Sequence, residues 1–151
     1  EARIRAMGPS AAKEMLDVSL AGQELGARAR ECLVRAVASS IVRTEDLHPN
    51  LVALFREVSV RAKVDAPVDV DDTSIFLTHL AELEPSEKTC VLRVVSIASI
   101  IDGRLTRNEK RLLVQARTTC GRDADLSAVT TLRRAFVDGD PLVHEQITAL
   151  A

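Results

Sequence analysis

The segment from Cys90 to Ile101 constrains the fold more than any other part of this sequence. Its polar residues are Arg93, Ser96 and Ser99, whose spacing of three places them on one narrow stripe of a helix. The rest of the circumference is apolar, so other elements must cover this helix on nearly all sides. Runs of alternating β-branched and polar residues, which would predict strands, are nearly absent. We therefore predict an all-α fold with this helix at its centre.

Capping and turn residues divide the whole chain into about seven to eight helices. For the helix opened by Pro85 and Ser86, Ser86 is the preferred cap. Thr106 and Glu109 have the spacing of a capping box. The predicted helices cover 11–25, 27–42, 49–63, 73–83, 85–101 and 106–120. A seventh begins at Asp125 or Ser127 and ends at Asp138, and a short one follows Pro141.

An internal repeat with a spacing of 58 residues runs through the middle of the chain. Aligning 24–55 with 82–113 gives eight identities over 32 positions, and the apolar positions also agree. Two copies of a helix-loop-helix can bury their apolar faces against each other. We therefore predict a single domain, residues 1–151, built from two related helix-loop-helix halves. Identical pairs include Cys32 and Cys90, Asn50 and Asn108, and Leu54 and Leu112.

Composition and charge exclude several classes of function. The net charge of −2 and the absence of Trp and Tyr argue against a basic, base-stacking surface for nucleic acid. The longest uncharged apolar stretch, Val94 to Ile101, is too short for a transmembrane segment, which needs roughly 20 residues. Peripheral membrane association stays open. No phosphate-binding glycine loop and no G-x-S-x-G motif occurs, so we predict no catalytic residues and no enzyme.

The cysteines and the first residue indicate the cellular compartment and the processing of the protein. Cys32, Cys90 and Cys120 are odd in number, far apart and each within an apolar helical pattern. We expect buried free thiols, which favour a reducing compartment such as the cytoplasm or an organelle matrix or stroma. Because the first residue is Glu1 and not Met, we also expect an N-terminus that is processed or trimmed.

The loop of the second copy differs most from its counterpart in the first. It begins and ends with acids, Asp102 and Glu109, where the first copy has Thr44 and Leu51. An EF-hand counted from Asp102 would place Arg104 at a position that requires an oxygen ligand. The loop is therefore not a calcium loop of that type.

A short pattern spans the same loop and the helix before it, formed by Ala98, Asp102, Gly103, Leu105 and Glu109. This pattern resembles that of the tellurite-resistance TerB-like family. The resemblance covers about Leu80 to Val137 and implies an all-helical domain built from two related halves. It also implies a role in stress and metal-oxyanion resistance, docking to other proteins or membranes, and acidic residues that bind a divalent metal.

Through that resemblance, Asp102 and Glu109 are the candidate metal ligands, and a divalent cation is the one candidate cofactor. The alternative is that both residues have only a structural role. Asp102 would then be a turn residue before Gly103, and Glu109 would be the capping-box partner of Thr106.

Two other groups of residues could ligate a metal. Asp65, Asp69, Asp71 and Asp72 could gather a hard cation, or they could form a solvated acidic loop and a helix cap. The three histidines are scattered, and no two of them lie four residues apart on one helix.

Three hypotheses follow for function. The first is a non-enzymatic helical interaction module, an accessory subunit of a larger, membrane-associated assembly, with an exposed apolar patch for its protein partner. The second is a divalent-metal-responsive stress module that uses Asp102 and Glu109. The third is a helical enzyme, which would need a polar, concave pocket containing acids or histidines with perturbed pKa values.

Overall fold

The described part of the chain is folded into eight α-helices. The structure, a computed structural model, describes residues 12–20, 24–41, 48–63, 73–140 and 142–150. Every regular element in these ranges is an α-helix, which confirms the all-α prediction. The helices are α1 (12–20), α2 (Ala27–Ile41), α3 (Pro49–Ala62), α4 (Thr73–Ala81), α5 (Pro85–Ile100), α6 (Arg107–Thr119), α7 (Ser127–Asp138) and α8 (Val143–Ala149).

Helix α5 is the central helix. From Cys90 to Ile100 its residues are buried, apart from the half-buried Arg93, and it packs against α2, α4, α6, α7 and α8. The hydroxyls of Ser96 and Ser99 donate to the backbone carbonyls four residues earlier, at 2.8 and 2.9 Å. These bonds satisfy both hydroxyls within the helix, so it can be buried without unpaired serines. The prediction of a helix covered on nearly all sides is confirmed.

One continuous apolar core joins all eight helices. Fully buried side chains reach it from both ends of the chain as well as from the two repeat copies. This arrangement follows from helices that each carry one apolar face and must bury it against a neighbour. Among the largest members are Met15, Leu16, Leu51, Leu54, Phe76, Leu92, Ile97, Leu112, Phe136 and Ile147.

The helix positions agree with the internal repeat. Helix α5 begins 58 residues after α2, and α6 begins 58 residues after α3. Helix α2 packs on α3, α5 packs on α6, and α2 and α5 pack on each other. The paired cysteines Cys32 and Cys90 are both buried. The paired asparagines differ, because Asn50 is 1% exposed whereas Asn108 lies on the surface.

The capping residue of α5 differs from the prediction. Glu84, and not Ser86, is the residue that precedes the helix, and Pro85 is its first residue. Proline suits this position because its missing N–H would have no partner inside the helix. The Glu87 carboxylate accepts from the backbone N–H groups of Glu84, at 3.2 Å, and of Gly26, at 3.1 Å. Glu87 therefore ties the start of α5 to the residue before α2.

Two other boundaries also differ, and two connections lie outside the described residues. Helix α4 ends at Ala81, before the predicted Leu83, and residues 24–26 are not helical although 11–25 was predicted as one helix. The predicted glycine stops of α6 and α7 are confirmed, with Gly121 and Gly139 at φ angles of 73° and 69°. The predicted loop 44–48 is described only at its last residue. The acidic connection, which includes Asp65, Asp69, Asp71 and Asp72, is not described at all.

Asn50 connects the two copies through a buried hydrogen bond. Its Nδ2 donates to the backbone carbonyl of Ile101 at 2.9 Å. That carbonyl lies just beyond the last residue of α5, where backbone oxygens lack partners inside the helix. Asn50 itself is fixed at the start of α3, where its backbone N–H donates to Nδ1 of His48 at 3.0 Å.

We predict that Asn50→Ala destabilises the protein by about 1–3 kcal/mol, because it leaves the buried Ile101 carbonyl without its partner. Asn108→Ala is the matched control, since it makes the same change at the equivalent exposed position of the second copy. Asn108→Ala should change the free energy of unfolding by no more than about 0.5 kcal/mol. Urea unfolding of both variants measures the two values, and equal effects would contradict this role of Asn50.

Candidate functional site

Asp102 closes the connection between α5 and α6. Its side chain is 4% exposed, and Oδ1 accepts from the backbone N–H of Arg104 at 2.9 Å. Oδ2 lies 3.6 Å from Nη2 of the same arginine. Gly103 follows with a φ of 86°, a left-handed conformation that favours glycine. The aspartate therefore acts on its own loop, as a turn residue paired with a neighbouring cation.

Glu109 caps α6 together with Thr106. Its Oε1 accepts from the backbone N–H of Thr106 at 2.9 Å, and its own N–H donates to Oγ1 of Thr106 at 3.2 Å. The predicted capping box is confirmed. In contrast to most capping carboxylates at a helix surface, the Glu109 side chain is only 2% exposed.

The burial of Glu109 follows from its place in the repeat. The equivalent residue of the first copy is Leu51, which is 1% exposed in the apolar core. Glu109 thus puts a carboxyl group at a position that contains an apolar side chain in the other copy. Its pKa is raised from 4.5 to about 7, chiefly by burial and in part by the neighbouring Asp102 carboxylate, against the opposing effect of the Thr106 hydrogen bonds and of Arg104.

The groups around Asp102 and Glu109 already have partners within the protein. The Arg104 guanidinium lies beside Asp102, and Glu109 is bonded to the backbone of Thr106. Two loop carbonyls that could supply oxygen ligands also accept hydrogen bonds, that of Ile101 from Asn50 and that of Gly103 from a more distant arginine. A hard cation needs several oxygen ligands and would compete with these bonds. The assignment of Asp102 and Glu109 as metal ligands stays a prediction.

The other candidate ligands do not extend this pair. No group of three or more His, Cys, Asp or Glu side chains is placed to hold a metal within the described ranges. The acidic connection that contains Asp65 and Asp69 lies outside them. Cys32, Cys90 and Cys120 are buried free thiols, as predicted, and burial raises the pKa of each.

A basic groove lies on the solvent side of the same loop. We use this name for the open cavity of about 390 Å³ lined by Arg104, Leu105, Thr106, Lys110, Thr130 and Arg133. It joins the loop and the first turns of α6 to α7. Three of its six lining residues are cations and none is an acid.

Arg133 connects the basic groove to the acidic side of the loop. Its Nε donates to the backbone carbonyl of Gly103 at 3.0 Å. This bond fixes the guanidinium and holds α7 against the glycine turn. The sequence predicted none of the groove, because Arg133 lies 30 residues beyond Gly103 and no local pattern links them.

Large apolar side chains are seldom exposed on the described surface. Those that are exposed are Val60, on α3, and Leu142, next to α8. The apolar patch expected for a protein partner is therefore not seen in the described part of the chain. None of the described helices is long and apolar enough to cross a bilayer.

We predict that Glu109→Gln stabilises the protein above neutral pH. Because the pKa is raised from 4.5 to about 7, the folded state keeps its proton between these values while the unfolded state loses it. The free energy of unfolding of the wild type should therefore fall as pH rises through this window, by up to about 3 kcal/mol. Glutamine resembles the neutral acid and does not ionise, so the variant should lack this fall.

Urea unfolding at about pH 5 and about pH 8 makes the comparison. The two proteins should be closest in stability at the lower pH, and the variant should be the more stable at the higher pH. Glu145→Gln, a change at an exposed position of α8, is the control for removal of one negative charge. A wild-type profile parallel to that of Glu109→Gln would contradict the buried acid.

No family model, curated protein or solved structure matches this chain. The likeness to the TerB-like family therefore rests on the residues of the sequence alone and stays a prediction.

Proposed function

We propose that this protein is a non-enzymatic helical interaction module, an accessory subunit that binds a protein partner. The basic groove is the observation that supports this function. It gathers three cations and no acid, although one of the cations, Arg104, lies 3.6 Å from the buried Asp102 carboxylate. A protein with a net charge of −2 thus presents a concentrated positive site at one place.

The groove implies a polar contact and not the apolar one expected from the sequence. Charged side chains that line a concave surface select a complementary partner and accelerate association. Lys110 extends from an exposed position on α6 and makes no ion pair with a described residue. Its charge is therefore available to a partner.

The metal-responsive alternative has less support. Its two carboxylates are engaged in closing the loop and capping α6, and the cation beside Asp102 is Arg104. The TerB-like resemblance supports an accessory module that docks on other proteins as well as it supports a metal-responsive module. Attachment of the assembly to a membrane is part of the same proposal.

We predict that the tagged protein, added to a gentle extract of its source, elutes with a larger assembly, well above its own 16.4 kDa. Lys110→Glu should return it to the size of the free chain, because the reversed charge repels an anionic partner. Arg111→Glu is the matched control, since Arg111 is an exposed cation next along α6 and does not line the groove.

Circular dichroism of both variants checks that the helices are intact. If the wild type elutes alone, the accessory-subunit proposal is wrong. If both charge reversals release the partner equally, the partner binds elsewhere than in the groove.

A further inference from the structure

The arrangement of donors in the basic groove indicates the chemical group that it accepts. We infer that the groove binds the phosphomonoester group of a phosphorylated serine or threonine on a protein partner. This inference rests on the proposed function and deepens it, because it names the chemistry of the contact.

The sign and distribution of charge favour an anionic group. Arg104, Lys110 and Arg133 all line the groove and no acid does, although the buried Asp102 carboxylate lies 3.6 Å from the Arg104 guanidinium. The first turn of α6 adds the positive end of a helix dipole at the groove wall that Thr106 forms. The groove therefore attracts an anion although the whole chain is slightly negative.

Two of the donors are preorganised. The Gly103 carbonyl accepts from Nε of Arg133 at 3.0 Å, which holds this guanidinium in place. The Thr106 oxygen accepts from the Glu109 N–H, so its hydroxyl proton is left to donate. Donors that are already held in place lose less freedom when a ligand binds.

The number of hydrogen-bond donors favours a phosphate over a carboxylate. The groove is lined by two planar guanidinium groups, one ammonium group and two hydroxyls. Together they carry more donors than the two oxygens of a carboxylate can accept. A phosphomonoester presents three terminal oxygens and a charge close to about −2 at neutral pH. Arginine forks match these oxygens, and the lysine adds a point charge. Phosphate therefore complements this lining better than an aspartate or glutamate of the partner would.

The shape of the groove favours a peptide over a membrane as the carrier of the phosphate. The volume of the groove, about 390 Å³, is larger than that of a phosphate group and leaves room for the side chain that carries it. Leu105 supplies an apolar wall for that aliphatic part. The exposed large apolar residues, Val60 and Leu142, do not line the groove.

Backbone amide shifts in an NMR titration of the full chain test this inference. The probes are inorganic phosphate, a short Gly/Ala peptide with one phosphoserine, and the same peptide without phosphate. We expect both phosphate probes to shift amides around the groove, with saturation at lower concentration for the phosphopeptide. The unphosphorylated peptide should leave the groove unchanged.

Paired variants locate the site. Lys110→Ala should weaken phosphopeptide binding by about ten-fold, as expected for loss of one charge-assisted contact. Its control, Arg111→Ala, should bind like the wild type. Arg133→Ala should also weaken binding, whereas Arg134→Ala, the same change at the adjacent exposed position, should not.

Four outcomes would overturn the inference. They are equal binding of the two peptides, phosphate shifts confined to other surfaces, binding of free phosphate without binding of the phosphopeptide, and preferential binding to vesicles of anionic phospholipid. The proposed function is judged separately by elution of the extract. If phosphatase treatment leaves the larger assembly intact, the accessory role stands and the phosphate inference fails.

Discussion

The burial of α5 on nearly every side is the constraint on which the rest of this structure depends. A buried helix has no water for its polar groups, so each of them needs a partner within the protein. Ser96 and Ser99 bond to carbonyls of their own helix. The carbonyl of Ile101, just beyond the helix end, is satisfied by Asn50 of α3. That last bond fixes the first copy against the end of α5, and therefore fixes where the following loop begins.

The loop that starts there uses its acids for structure. Asp102 closes the turn and lies 3.6 Å from Arg104, and Glu109 caps α6. Its cation Arg104 combines with residues of α6 and α7 on the outer side to form the basic groove. The cost of burying a carboxyl at a core position is reduced because Glu109 favours its neutral form until pH approaches its raised pKa. The inner side is thus structural, and the outer side is the one available to a ligand.

Local signals made much of the fold predictable. The Thr106 and Glu109 capping box and the glycine stops depend on residues a few positions apart, so the sequence alone identifies them. The prediction of Ser86 as the cap of α5 was wrong, because a proline before a serine can be either the residue before the cap or the first helical residue. The groove could not be predicted, since it depends on α7 packing Arg133 against Gly103 across 30 residues. The burial of Glu109 could have been inferred from its alignment with Leu51 in the repeat.

Glu109 is a buried acid that caps α6, and the structural role of this loop follows from that arrangement. Titration of the Glu109 side-chain carboxyl carbon by ¹³C NMR, with and without calcium, tests this role most directly. We predict a pKa of about 7 for Glu109, unchanged by calcium. A pKa close to the ordinary value of 4.5 would contradict the buried acid, and a pKa that calcium lowers would support Asp102 and Glu109 as metal ligands.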